Sequence, residues 1–300
     1  MQLFTIGLEQ LNLDGTPKKD AQGRPIPTYS NNDVIGLARV FTGWSWNGGR
    51  LTHECFFRAG YCAENTNERE TRPMVAYDQY HSTLEKRFLG TTIAEGQSRT
   101  TADLKVALDT LFNHPNVGPF IGRQLIQRLV TSNPSPAYVR RVASAFNNNG
   151  QGVRGDMKAV IRAVLLDEEA RGDNPRKQPS FGRIREPVLR FTHLMRALEA
   201  SSRTGYWGIG RTDVPGNLNQ TAMRAPSVFN FYRPGYSPAG TPVARAGLVA
   251  PEMQITQESS VAGYADYLDR FVGGTSIYIV GLGDMIPHPD GERHSGGQAR

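Results

Sequence analysis

Cysteine is scarce in this chain: Cys55 and Cys62 are the only two among 300 residues. That excludes a disulfide-dense scaffold and a zinc site built from four thiolates. No run of about 18 apolar residues occurs, so the sequence contains no helical membrane span. The Gly-x-x-x-x-Gly-Lys-Ser/Thr phosphate loop, the dinucleotide Gly-x-Gly-x-x-Gly, His-Glu-x-x-His and Gly-x-Ser-x-Gly are all missing. Their absence weighs against nucleotide enzymes, zincins and α/β-hydrolases. No fixed-period repeat is present. The opening MQLFTIGLEQL shows no charged leader or cleavage site, which taken alone implies the cytoplasm.

Glycine (32) and proline (19) are abundant and imply many loops. Hydrophobic residues at 38% and charged residues at 21% describe a globular chain, long enough to bury a sizeable core. The net charge of +6 is uneven. Residues 103–233 hold 19 Lys/Arg, mostly Arg, against 10 Asp/Glu. Arg forks suit carboxylates, phosphates and sulfates, though many such residues serve internal ion pairs. No dense basic stripe or known motif marks a nucleic-acid interface, so none is expected.

Hydrophobic periodicity predicts a mainly α fold: a multi-helix array with long irregular loops and at most a short β hairpin. Met1–Leu11 reads as a helix end, followed by a turn-rich loop. Ser30 or Asn31 caps a helix with Val34, Leu37, Ala38 and Phe41 on one stripe, ending at Gly43. Residues 45–101 are irregular. Five amphipathic helices follow. The first has a Thr/Asp cap near Thr101 and stops before Pro115. The second stacks Val117, Ile121, Leu125 and Leu129, and the third opens on Ser135 and Pro136. The fourth carries Met157, Val160, Ile161, Val164 and Leu165, and the fifth opens near Pro187. A short helix near Leu218 and a last helix capped by Thr256 complete the array. Residues 1–272 read as one helical domain and residues 273–300 as a strand and polar tail.

The six-residue spacing of Cys55 and Cys62 suits a small loop disulfide in an oxidising compartment. Two free thiols, or a metal clip with His53, are the alternatives. The candidate catalytic residues are His81, His114, Glu186, Arg190 and Arg233. His81 lies in a loop, where a histidine can act as base or ligand. His114 ends a helix, where the dipole favours its protonated form. Glu186, Arg190 and His193 share a helical face, and the ordinary reading is a Glu186–Arg190 ion pair. Arg123 and Arg128 are candidate anion contacts. The segment APSVFNFYRPGY, residues 225–236, adds Phe229, Asn230 and Tyr232. It reads either as an aromatic lid anchored by a buried Arg233 pair or as the wall of a carbohydrate cleft. Asp167, Glu168 and Glu169 are the nearest approach to a calcium cluster; no metal or cofactor is assigned.

The stretches LFTIGL, DVIGLARVFTGW, LFNHPNVGPFIGRQLIQRLVTSNPSPAYVRRVASAF, REPVLRF and PSVFNFYRPGY…GLVAPEMQI resemble domain-of-unknown-function family 1800, a bacterial family. The resemblance runs from Met1 to about Phe271. It implies a further helical half and an export signal before LFT-x-G, hence a periplasmic or extracellular protein. It also implies a paired exported partner that is sulfatase-like in pattern. Many members read His-Asp-x-Gly-x-Lys where this chain has His81-Ser82-Thr83-Leu84-Glu85-Lys86. The family supplies no catalytic residues. Two functions follow as expectations: a binding or assembly component working with that partner, or an exported enzyme acting on an anionic or carbohydrate substrate.

Overall fold

A computed structural model describes residues 1–47, 51–57, 71–97, 99–200 and 209–272. Cys62 and the expected tail over 273–300 lie outside the described residues. Packing divides the chain into unit 1, Met1–Leu125 with Ser135–Val164, and unit 2, Ile126–Pro134 with Leu165–Arg300.

Unit 1 begins with a turn, not the expected helix end. The N–H groups of Ile6 and Gly7 both donate to the Met1 carbonyl. Gly7 sits at φ +74°, and a Cβ there would lie 2.7 Å from the Phe120 ring, so only glycine makes this turn. Residues 8–28 then close a three-sided ring of backbone bonds. Gln10 N–H donates to Ile26 O, Ile26 N–H to Lys18 O, and Lys18 N–H to Gln10 O. Asp14 and Asp20 brace its corners by accepting the N–H groups of Thr16 and Gln22, the local bond that makes Asp a turn residue.

Helix α1 (Asn31–Val40) starts on a capping box between Ser30 and Asp33, which satisfies two end donors reciprocally. The strands are short: β1 (Trp44–Ser45) pairs antiparallel with β2 (Val75–Ala76), and β3 (Lys86–Phe88) with β4 (Thr91–Ile93). Helix α2 (His53–Phe57) lies between β1 and β2 in sequence. The β3–β4 turn, Leu89-Gly90, has positive φ at both residues, the form that matches strand twist. Asp33 Oδ1 accepts the Leu89 N–H at 2.6 Å, so one carboxylate caps α1 and pins this turn. At Gly36 a Cβ would lie 1.9 Å from Arg87 O. The missing side chain lets α1 rest on the backbone of β3. The buried face of α1 is therefore Gly36, Leu37 and Val40, which joins Phe88 of β3 and Ala107 in one core cluster. The expected stripe is corrected here. Val34, Ile35 and Phe41 are 42, 52 and 52% exposed.

Helices α3 (Thr100–Asn113), α4 (Val117–Leu129), α5 (Pro136–Asn147) and α6 (Met157–Leu165) form where the periodicity predicts them, but of the stripe expected in α6 only Val160 and Val164 are buried, while Met157 and Leu165 are exposed. Ser135 caps α5 through the Tyr138 N–H, with Pro136 in its first turn. No side chain of the N-cap residue, Arg99, caps α3. Asp78 instead accepts the N–H and hydroxyl of Thr100. Leu129 faces outward and Ile126 takes the buried position.

Unit 2 contains α7 (Glu168–Arg171), α8 (Asp173–Arg176), α9 (Pro187–Ala197), α10 (Pro242–Arg245) and α11 (Glu258–Val272). Its core joins Phe191, Leu218 and Tyr267. Residues 218–224 form turns rather than the expected short helix, with Asn219 and Met223 at positive φ. Thr256 does not cap α11; its hydroxyl donates to Glu252 O. Among the described residues the class is mainly α, as the periodicity predicts, with two small antiparallel strand pairs.

Candidate functional site

In unit 1 the sequence candidate His81 lies inside a charged cluster. Its Nε2 is 2.9 Å from Asp103 Oδ2, and Lys86 Nζ meets the same oxygen at 2.9 Å. The three side chains are 1, 4 and 0% exposed. His81 Nδ1 lies 2.8 Å from the Thr42 carbonyl, so both ring nitrogens face oxygen acceptors. Lys86 Nζ also donates to Ser82 O at 2.6 Å. Burial acts to raise the Asp103 carboxyl, but the hydrogen bonds from His81 and Lys86 outweigh it and hold the group below the ordinary carboxylate range. The cluster ties three segments to α3: the residues after α1, the loop at 81–82, and the start of β3. This explains physically why His81 and Lys86 stand five residues apart.

His114 sits apart from that cluster. Its Nδ1 accepts the Asn116 N–H at 3.1 Å. Desolvation, then Lys18 and Arg154, push its pKa down. The expected protonated histidine at a helix end is thereby corrected. Two neighbouring cations and partial burial oppose the helix dipole, and the ring favours its neutral form.

In unit 2, Glu186 is the N-cap residue of α9, and it does not pair with Arg190. Its Oε2 accepts from Gln220 Nε2 at 2.6 Å and from the Tyr232 hydroxyl at 2.8 Å. Arg190 instead stacks on Tyr264 at 4.2 Å, and its Nε is buried without a hydrogen-bond partner. Gln220 Oε1 accepts the Val188 N–H, filling a helix-start donor that the Glu186 side chain leaves open. Tyr232 is 1% exposed. Burial pushes its hydroxyl far above the ordinary phenol range; Arg128 opposes this and Glu186 adds to it. The Arg128 guanidinium lies 4.4 Å from the Tyr232 ring centre, a cation–π contact rather than the expected carboxylate or anion contact. Beside them Arg183 meets Glu252 Oε1 at 3.3 Å, while Glu252 Oε2 is buried without a partner.

The aromatic segment 225–236 divides in two. Tyr232 is core, whereas Phe229 is half-buried and Asn230 is exposed at φ +66°. Arg233 is exposed and lies over Phe229 at 4.5 Å. The anchored-lid expectation is corrected, because no buried ion pair holds Arg233 among the described residues. Its backbone N–H donates to Gln254, and Gln127 holds the turn through Pro234 O at 3.2 Å. Arg123 lies on the exposed side of α4.

Asp167 caps α7 by accepting the Glu169 N–H. No group of three or more His, Cys, Asp or Glu side chains is placed to hold a metal ion among the described residues.

The structure thus brings Glu186, Tyr232 and Arg128 together and engages His81 separately within unit 1. Sequence reasoning missed Asp103, Gln220 and Glu252. Asp103 had a signal. It precedes Ala107 and Leu111 at four-residue steps on the buried face of α3, and an acid in an apolar stripe calls for buried cationic partners. Gln220 lies in an irregular segment and Glu252 in a short 3-10 helix, Pro251–Ile255, where α-helical periodicity gives no sign.

Outside these clusters, α1 presents a second apolar stripe to solvent. Val34, Ala38 and Phe41, at the i, i+4, i+7 spacing, are exposed together with Ile35. No helix among the described residues is long and apolar enough to cross a membrane.

Residues 1–278 match the family model described as a protein of unknown function, DUF1800. No curated protein and no solved structure matches the chain.

Proposed function

The chain belongs to the DUF1800 family, and from that premise we propose that it is a binding or assembly component, working with a paired exported partner through the outer face of α1. The carrying observation is the doubly apolar character of that helix. Gly36, Leu37 and Val40 serve the core, while Val34, Ile35, Ala38 and Phe41 remain outside. A stripe at this spacing fits a groove or a second helix, the helix-in-groove mode of recognition. The polar residues that could suggest chemistry support the same reading, because His81, Glu186 and Tyr232 are engaged in internal bonds.

The partner proposed is the sulfatase-like exported protein implied by the family resemblance, and the compartment is the periplasm or beyond. A Cys55–Cys62 disulfide belongs to this proposal. Alkylation of the urea-unfolded protein without reductant should leave both thiols unlabelled; labelling of both would overturn the disulfide.

The test of the interface is titration calorimetry of the full-length protein against that partner, with Ile35→Glu and Phe41→Glu as variants. Binding should weaken at least about tenfold in each variant, or about 1.4 kcal/mol, with an unchanged melting temperature. Loss of melting temperature with binding intact would assign the face to the protein's own interior and overturn the proposal.

A further inference from the structure

We infer that unit 1 carries a binding site for an acidic carbohydrate, a sugar bearing a carboxylate, between the end of α5 and the outer face of α6. This goes beyond the partner interface and uses none of its residues. The site is a shallow cavity of about 570 Å³ lined by Asn148, Asn149, Gln151, Asp156, Lys158 and Arg162, among others. That volume lies within the range usual for small-ligand sites.

The loop between the helices is held rigid by its own side chains. Asn148 Oδ1 accepts the N–H groups of Gly150 and Gly152 at 2.8 and 2.9 Å. Asn149 Oδ1 accepts those of Gln151 and Val153 at 2.9 and 3.2 Å. Asn149 Nδ2 donates to Asp156 Oδ2 at 2.8 Å. The other oxygen of Asp156 accepts the N–H groups of Lys158 and Ala159 at the start of α6. The acid of the cavity is therefore engaged in closing the loop, and the polar rim is fixed before any ligand arrives, which lowers the ordering cost of binding.

Lys158 and Arg162 stand four residues apart on one exposed face of α6. Neither side chain has a salt-bridge partner among the described residues, and Lys158 acts on the Asp156 carboxylate only from a distance, as the last of the influences that lower it. Like charges at this spacing disfavour a helix by a few tenths of a kcal/mol, so the fold gains nothing from the pair. An anion placed between them would. Arg supplies a planar fork for a carboxylate and Lys a point charge beside it. With both Asn side-chain oxygens occupied, the Asn148 amide nitrogen and the Gln151 side chain remain for hydroxyl groups. The lining contains no aromatic ring, so recognition there rests on the two cations and the amide groups alone. A carboxylate with adjacent hydroxyls is the chemistry that matches this set.

The probe is trigalacturonate, compared with neutral trigalactose and with inorganic sulfate, read by protein-observed NMR shifts on the wild type and on the Lys158→Ala, Arg162→Ala double variant. Trigalacturonate should bind saturably, with trigalactose and sulfate at least about tenfold weaker. The double variant should lose about tenfold or more of the affinity while its melting temperature stays at wild type, since both side chains are exposed. No saturable binding at about 10 mM, in the weak millimolar regime, would overturn the inference. So would equal binding by the double variant. Sulfate binding as tightly as trigalacturonate would reduce the site to an oxyanion site and overturn its assignment to a sugar.

Discussion

Asp103 in unit 1 and Glu252 in unit 2 are both carboxylates withdrawn from water, at 3 and 1% exposure, yet their surroundings differ. Asp103 Oδ2 has two donors at 2.9 Å, His81 and Lys86. Glu252 has one cation at 3.3 Å and an oxygen with no partner. A buried charge is tolerated when it is paired and hydrogen-bonded, and the first site meets that condition more fully than the second. The difference teaches where each unit draws its order. Unit 1 fixes an irregular stretch with a sealed ionic knot. Unit 2 fixes the turns over 212–236 with neutral donors on Glu186 and with rings under arginines.

The sharpest way to break this contrast is Asp103→Ala. It leaves a fully buried Lys86 without its carboxylate, and breaking a buried pair from one side costs about 3–5 kcal/mol. Urea unfolding at neutral pH should show a loss of that size; a loss below about 1 kcal/mol would mean that the knot is not what holds the segment.

Gly36→Ala comes next. Its Cβ would lie 1.9 Å from Arg87 O, a backbone atom. Overpacking of this kind costs about 1–3 kcal/mol, and α1 must lift off β3. Unit 2 has the same device, since a Cβ at Gly263 would lie 2.3 Å from Pro215 O. Melting temperatures of the two Ala variants should both fall, with Gly36→Ala lower. An unchanged value for either would show that the helix does not rest on that backbone.

Acid should separate the units more gently. The Asp103 carboxyl lies below its ordinary range when folded. Its stabilisation is therefore fully present above the unfolded-state pKa of about 3.9 and is lost as pH falls through the lower folded value. The gap in melting temperature between wild type and Asp103→Asn should shrink as pH falls below about 4. A gap that does not change with pH would contradict the linkage.

Glu252→Gln should have the smallest effect. It removes one long ion pair but also an unmatched buried charge, so urea unfolding should shift by no more than about 1 kcal/mol. A loss as large as that of Asp103→Ala would erase the contrast between the two acids.

The helices were legible in the sequence because they carry period and punctuation. Ser135-Pro136 opens α5, and Pro115 closes the run of α3. Which face of α1 is buried was not legible. A stripe of Val34, Ala38 and Phe41 outranks a glycine in any hydrophobic count. Contact with a strand backbone selects the glycine instead, and this depends on a partner 51 residues away, Arg87. The aromatic segment 225–236 misled for a related reason. Its one fully buried ring, Tyr232, is held by Glu186 and Arg128, and neither contact follows from the segment's own composition. His81 was singled out as chemistry because its charged partner Asp103 lies 22 residues on, hidden in a helix whose other buried residues are apolar or neutral.

The residues of catalytic type in unit 1 thus form a structural knot. A double-mutant cycle between His81 and Asp103, measured by equilibrium urea unfolding of H81A, D103A and the double variant, tests it most directly. The expected coupling is about 1–3 kcal/mol, as for residues sharing a buried network. Effects that add to within about 0.5 kcal/mol would contradict it and return His81 to the pool of residues kept for function.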